Sequence, residues 1–309
     1  MKLLASLLAA GALALAPCAA FAKIVRQVEK TFAVSPGGTL RVQTIGGDVR
    51  VATADAAEVK VTARQTFRTN SEEEADKILA EMTFRIEQEG NTVVAEAKSD
   101  RKGGWGRNPA SVDFTVTVPR QFNVELTTSG GDIQVGDLTG TVKARTSGGD
   151  LTFARIAGDL DGRTSGGDIT LAEGTARANL DTSGGDIIVT RAGGPTKVST
   201  SGGDIRLDAV TELLGASTSG GTITARLLEA PRKDLDLSTS GGDIRLTVPK
   251  AAAFVLDAGT SGGNVDAAGL TITIEKGSPG KSRLAGSVNG GGPRLRLRTS
   301  GGDIRVRTE

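Results

Sequence analysis

The side chains of this 309-residue chain that can do chemistry are carboxylates, hydroxyls and guanidinium groups, since it has no His, no Tyr and one Cys, at position 18. Ser and Cys triads that depend on histidine, zinc sites built on imidazole or thiolate, and disulfides are thereby excluded. The carboxylates fall into two sets. Asp132, Asp150, Asp168, Asp186 and Asp204 recur every 18 residues, and Asp243 and Asp303 follow, each after a Gly-Gly pair. An aspartate there can accept hydrogen bonds from turn N–H groups. The alternative is a cation-binding ladder, because like charges repeated at strand spacing repel unless paired. Calcium would be the cation, yet the third glycine of the calcium β-roll phrase is missing and Thr222 and Asn264 replace the carboxylate in two copies. Turn caps and no cofactor are the expectation. Asp159, Asp161 and Glu173 form the second set, at outward positions where an Asp/Glu pair could serve polysaccharide hydrolysis. An active site should break a regular face with unlike residues, and these repeats barely vary, so no catalytic residue is assigned. A carbohydrate-active enzyme and a calcium-stabilised module remain the alternatives. The serines beside the glycines lack a base to activate them and read as turn residues.

The elements that position these groups follow from the spacing. Ser129, Ser147, Ser165, Ser183, Ser201 and Ser219 advance by 18 residues; Ser240, Ser261 and Ser300 follow at 21, 21 and 39, and Thr44–Val49 is an early variant. A fixed period of that size marks small units that cannot bury their apolar side chains alone. Before each hinge, Leu160, Gly162 and Thr164 align with Ala178, Leu180 and Thr182, with Thr196, Val198 and Thr200, and with Leu214, Ala216 and Thr218. Polar residues fall between them, a period of two that describes a strand with one buried face. After each hinge the alternation resumes, as in Ile169 and Leu171. Identical columns favour successive coils stacked about 4.8 Å apart over a sandwich or open sheet. The expected fold is all-β: a single β-solenoid, β-helix-like, of about 18-residue coils, with a short N-terminal helical excursion. The glycine pair is expected to supply positive φ at the corner and room for close stacking.

Residues 1–22 read as a secretion leader, with Lys2, an apolar run and Ala20-Phe21-Ala22 as the cleavage signal. The apolar run falls short of the roughly 20 residues a spanning helix needs, so no transmembrane segment is expected in the mature chain. Pro17 before Cys18 departs from the lipoprotein pattern, and anchoring through Cys18 is not expected. Residues 23–125 form a less regular β region continuous with the regular hinged region 126–309. Ser71-Glu72-Glu73-Glu74, followed by Ile78, Leu79 and Met82, is the cap and stripe of a helix near 71–82. Trp105 lies on a loop, where a single aromatic is a candidate ligand contact. Arg294, Arg296, Arg298, Arg305 and Arg307 alternate outward near the C-terminus. They could face an anionic polymer or lipid head group, or protect the last open strand from pairing with another chain. The absence of interleaved aromatics argues against nucleic acid.

The recurrent Thr-Ser-Gly-Gly-Asp-Ile phrase, the strand Val112–Pro119 and the following Phe122-Asn123-Val124-Glu125-Leu126 resemble the DUF4097 family of bacterial β-strand-repeat proteins, labelled adhesins. The likeness covers roughly residues 38–308. It implies a β-solenoid exposed in the cell envelope and carries no catalytic residues onto this chain. The expectation is a noncatalytic, exported interaction or structural protein, in the periplasm or at the cell surface. Its partner would be envelope polysaccharide, an anionic surface or another envelope protein.

Overall fold

Alternating apolar and polar residues build strands throughout, and the 18-residue spacing sets their register. The structure, a computed structural model, describes residues 23–99, 110–274 and 281–309. The leader 1–22 with Cys18, and the loop with Trp105, lie outside the described residues. Strand Leu151–Ile156 pairs in parallel with Ile133–Val135 on one side and Ile169–Gly174 on the other, Leu151 lying between Ile133 and Ile169. Ile187, Ile205, Ile223, Ile244 and Ile304 continue that file, each beside the last. All are buried, and each such side chain contributes about 1.5–3 kcal/mol over an exposed one. Before the hinge, Asn123–Thr127, Val142–Arg145, Leu160–Arg163 and Ala178–Asp181 stack in the same way. One apolar core runs from Val34 to Val306 between the two stacks.

The expectation of a single β-solenoid is corrected. Such a coil advances in chain order with parallel neighbours, whereas here all 25 strands join in one mixed sheet. The last hinged coil is inserted out of order: Arg294–Thr299 lies between Leu235–Ser238 and Phe254–Thr260, and Ile304–Thr308 lies between Ile244–Val248 and Val265–Asp266. Both ends turn antiparallel, with Ile24–Ala33 on Glu58–Phe67, Met82–Glu89 on Thr92–Ser99, and Arg283–Val288 on Phe254–Thr260. The body is a nearly closed, barrel-shaped sheet with one helix. Asn289–Gly292, which reads in sequence as a degenerate hinge, is instead a left-handed turn in which Asn289 has φ 49° and Gly290 φ 92°.

The helix spans Glu72–Ala80. Ser71 Oγ caps it by accepting the Glu74 N–H at 3.4 Å, while Arg26 on the first strand binds Glu72 and Asp76 in its first turns at 2.5 and 2.6 Å. Ala75 and Ile78 cover Phe67 and Ala110 in a small second core.

Candidate functional site

The hinge is a hydrogen-bonded seam. In each coil the threonine hydroxyl bridges two coils: Thr164 Oγ1 donates to Gly149 O at 2.9 Å and accepts the Gly167 N–H at 3.3 Å. Thr146, Thr182, Thr200 and Thr218 repeat the pattern. The aspartates act between coils as well, since Asp168 N–H donates to Asp150 Oδ1 at 2.8 Å and Asp186 N–H to Asp168 Oδ1 at 2.7 Å. Asp132, Asp204, Asp243 and Asp303 each accept a neighbouring coil's N–H in the same manner. Thr222 and Asn264 still donate their backbone N–H groups to this seam. Among the described residues no group of three or more His, Cys, Asp or Glu side chains is placed to hold a metal ion.

The expected positive φ at the hinge is corrected. Of the glycines in these phrases only Gly46, in the early variant, has it, at 70°. The second glycine is required by close approach: a Cβ on Gly167 would lie 2.1 Å from Gly149 O, and one on Gly203 2.2 Å from Gly185 O.

The outward carboxylates are each taken by arginine. Asp159 binds Arg177 at 2.7 Å, Asp161 binds Arg163 at 3.0 Å, and Glu173 binds Arg155 at 3.0 Å. The hydrogen bond from Arg177 holds the Asp159 carboxyl below the usual range, opposite to the raised value a general acid needs.

Arg294, Arg296, Arg298, Arg305 and Arg307 do not lie on an open edge, because their strands have neighbours on both sides. Arg298 binds Asp257 at 2.6 Å, Arg305 binds Asp303 at 2.7 Å and Asp243 at 3.3 Å, Arg307 binds Asp266 at 2.5 Å, and Arg296 reaches Asp236 at 3.5 Å. The Arg294 guanidinium has no ion-pair partner among the described residues. A polar concavity of about 440 Å³ beside these strands is lined by Arg283, Arg298 and the hinge residues Thr260, Ser261 and Ser300.

The opposite stretch of the pre-hinge face carries a ladder of charges in register. Arg41 faces Glu125, Glu125 faces Lys143, Lys143 faces Asp161, and farther on Asp236 faces Arg296. Glu125 is bonded by Lys143 at 3.2 Å and Arg41 at 3.0 Å. Its carboxyl is held below the ordinary range first by Lys143, with burial opposing and Arg41 adding to the effect. Lys197 breaks the alternation, lying between Asn179 and Gly215 with no ion-pair partner among the described residues.

The sheet is irregular at the same place. Strands Ile187–Ser199 and Ile205–Ser217 slip register so that Thr196 faces Leu213 while Lys197 faces Gly215, leaving Leu214 as the extra residue of a bulge. Leu213 turns into the core at 5% exposure, and Leu214, which the sequence columns assign inward, is half-exposed. Leu214 and Pro195 form an apolar wall of a concavity of about 410 Å³ that also contains Lys197, Asn179, Asp161 and Arg177. A second concavity of about 240 Å³ shares Thr141 and Lys143 with it and reaches Asn123 and Thr39. Sequence reasoning missed this groove; its one signal is an uncharged pair, Asn179 and Gly215, flanking a lysine in otherwise charged columns.

The family model described as Toastrack DUF4097 matches residues 39–307. No curated protein matches the chain. Among solved structures, the chain is similar to an adhesin candidate from Bacteroides fragilis, at 15% identity and a TM-score of 0.45 over 92% of this chain and 97% of that one. An adhesin candidate from Parabacteroides distasonis is similar at 13% identity and a TM-score of 0.47, covering 91% and 97%. A lipid-binding candidate from the same species is similar at 14% identity and a TM-score of 0.41, covering 91% and 96%.

Proposed function

Because the chain belongs to the DUF4097 family, we propose that it is a noncatalytic, exported, adhesin-like interaction or structural protein of the cell envelope. The leader over residues 1–22 supports export. No helix among the described residues is long and apolar enough to cross a membrane. The observation that carries the noncatalytic reading is the engagement of the carboxylates. Those of the hinges accept backbone N–H groups, and Asp159, Asp161 and Glu173 are held by arginines. Hydrolysis of a glycan would need one carboxyl kept protonated and a second free to act as base or nucleophile. Partners of matching chemistry are an envelope polysaccharide, an anionic surface or another envelope protein. The arginine strands enter as a proposed contact surface through Arg294 and the concavity beside Arg298.

Co-sedimentation of the full chain with isolated envelope material, combined with a reducing-end assay on the same samples, tests the reading. Saturable retention without release of new reducing ends is expected. Absence of saturable retention, or turnover of the glycan, would refute it.

A further inference from the structure

We infer that the groove around Lys197 binds a linear, uronate-containing glycan that lies across the strands. The inference rests on the reading of the chain as a binding protein and names the ligand class of one surface. Three independent features converge there. The first is Lys197, a cation in a face of paired charges whose register neighbours are Asn179 and Gly215. An ammonium group left without a carboxylate can donate charge-assisted hydrogen bonds to an incoming anion. Another is the bulge, which takes Leu214 out of the core and stands it beside Pro195 as a small apolar wall. Bulges of this kind re-aim a side chain at the cost of regular pairing. The third is shape: the two concavities share Thr141 and Lys143 and extend from Leu214 to Thr39 across seven strands. At about 4.8 Å per strand the groove is roughly 29 Å long.

The chemistry of the lining selects the occupant. An elongated groove fits a polymer rather than one ring. Asn179, Asp161 (held by Arg163) and Arg177 (held by Asp159) offer donors and acceptors to hydroxyl groups, Pro195 and Leu214 offer an apolar wall for a ring face, and Lys197 is the match for one carboxylate. A phospholipid would need a cavity for its acyl chains, but Val142, Leu160 and Ala178 close the floor. An extended peptide recognised by strand addition would need a free sheet edge, and these strands are paired on both sides. Nucleic acid would need aromatic stacking platforms, which the lining lacks.

The test is isothermal titration of the full mature chain with linear galacturonate, mannuronate and guluronate hexamers. Carboxyl-reduced hexamers, inorganic phosphate and phosphatidylglycerol vesicles are titrated alongside. At least one hexuronate should bind saturably, its carboxyl-reduced counterpart should not, and Lys197→Gln should weaken binding at least tenfold. Arg206→Gln, on the post-hinge face where Arg206 binds Asp208 at 2.7 Å, should leave binding unchanged, and Leu214→Ser should weaken it. Unchanged melting temperatures for the lysine and arginine variants show that folding is not the cause. Binding of no hexuronate, binding that survives Lys197→Gln, or vesicle binding that depends on Lys197 would each overturn the inference. Failure of every hexuronate to bind overturns the groove alone, whereas absence of saturable envelope retention by the unaltered chain would sink the broader reading.

Discussion

Replacing Gly167 with alanine should be far more damaging than replacing its neighbour Gly166. A Cβ at Gly167 would lie 2.1 Å from Gly149 O, 2.4 Å from Gly149 C and 2.5 Å from Asp150 Oδ1. Two of those atoms are backbone of the adjacent coil, so the coils must separate locally. The carboxylate can swing away, but only by releasing the Asp168 N–H it accepts at 2.8 Å. Overpacking costs about 1–3 kcal/mol, and loss of one or two seam hydrogen bonds adds about 0.5–1.5 kcal/mol each. The expected loss is about 1.5–6 kcal/mol, a large share of the roughly 5–15 kcal/mol that holds a domain folded. A Cβ at Gly166 meets Gly148 O and Ser147 O at 3.6 Å and Gly148 Cα at 3.8 Å, ordinary contacts, and its φ is not left-handed. That substitution should change stability by less than about 1 kcal/mol, with a small gain from the restricted unfolded chain. Denaturant unfolding of the two variants beside the unaltered chain measures the difference. Equal stability of Gly166→Ala and Gly167→Ala would refute the close-approach explanation of the hinge.

Thr164→Val should cost about 1–3 kcal/mol, because it leaves Gly149 O and the Gly167 N–H without the hydroxyl that joins them. Thr164→Ser keeps the hydroxyl and should cost about 0.8 kcal/mol, the value of one buried methylene; similar losses in both unfolding curves would contradict the seam. On acidification, Glu96 and Glu125 set the sign. Lys98 is the main cause of the lowered Glu96 value, with burial opposing and Arg85 adding, and Lys143 is the main cause at Glu125. A carboxylate depressed on folding contributes stability above its unfolded pKa, about 4.3 for Glu, and loses it as pH falls through the folded value. Melting temperature should therefore hold near neutral pH and fall below about pH 4, with a shallower acid limb in Glu96→Gln; an unchanged limb in that variant would refute the assignment.

The strands were legible because Ile169 and Leu171, and their equivalents in each unit, alternate with polar residues, and only one face of a strand can be buried. Spacing alone also made the register legible. Chain order was not: insertion of the last coil is a long-range pairing that local alternation does not encode. A signal existed, since Ser300-Gly-Gly-Asp-Ile-Arg-Val repeats Ser240-Gly-Gly-Asp-Ile-Arg-Leu more closely than the intervening Ser261-Gly-Gly-Asn-Val does, and Ile244 pairs directly with Ile304. The arginines looked like protection for an open edge because the chain runs to Glu309 just beyond them, whereas their strands are interior. At the groove the sequence is ambiguous for a physical reason. Leu213 and Leu214 are equally apolar, and which of them turns inward is decided by the slip between Thr196 and Lys197.

The hinge is thus a seam of backbone and side-chain hydrogen bonds, and recognition is placed where the repeat is interrupted. The most direct measurement is the affinity of a linear hexuronate for two variants compared at equal fold stability, Asp168→Asn at the hinge and Lys197→Gln in the groove. Retention of binding by Asp168→Asn with at least a tenfold loss in Lys197→Gln is the predicted result. Loss in Asp168→Asn with retention in Lys197→Gln would place recognition on the repeat and contradict the account.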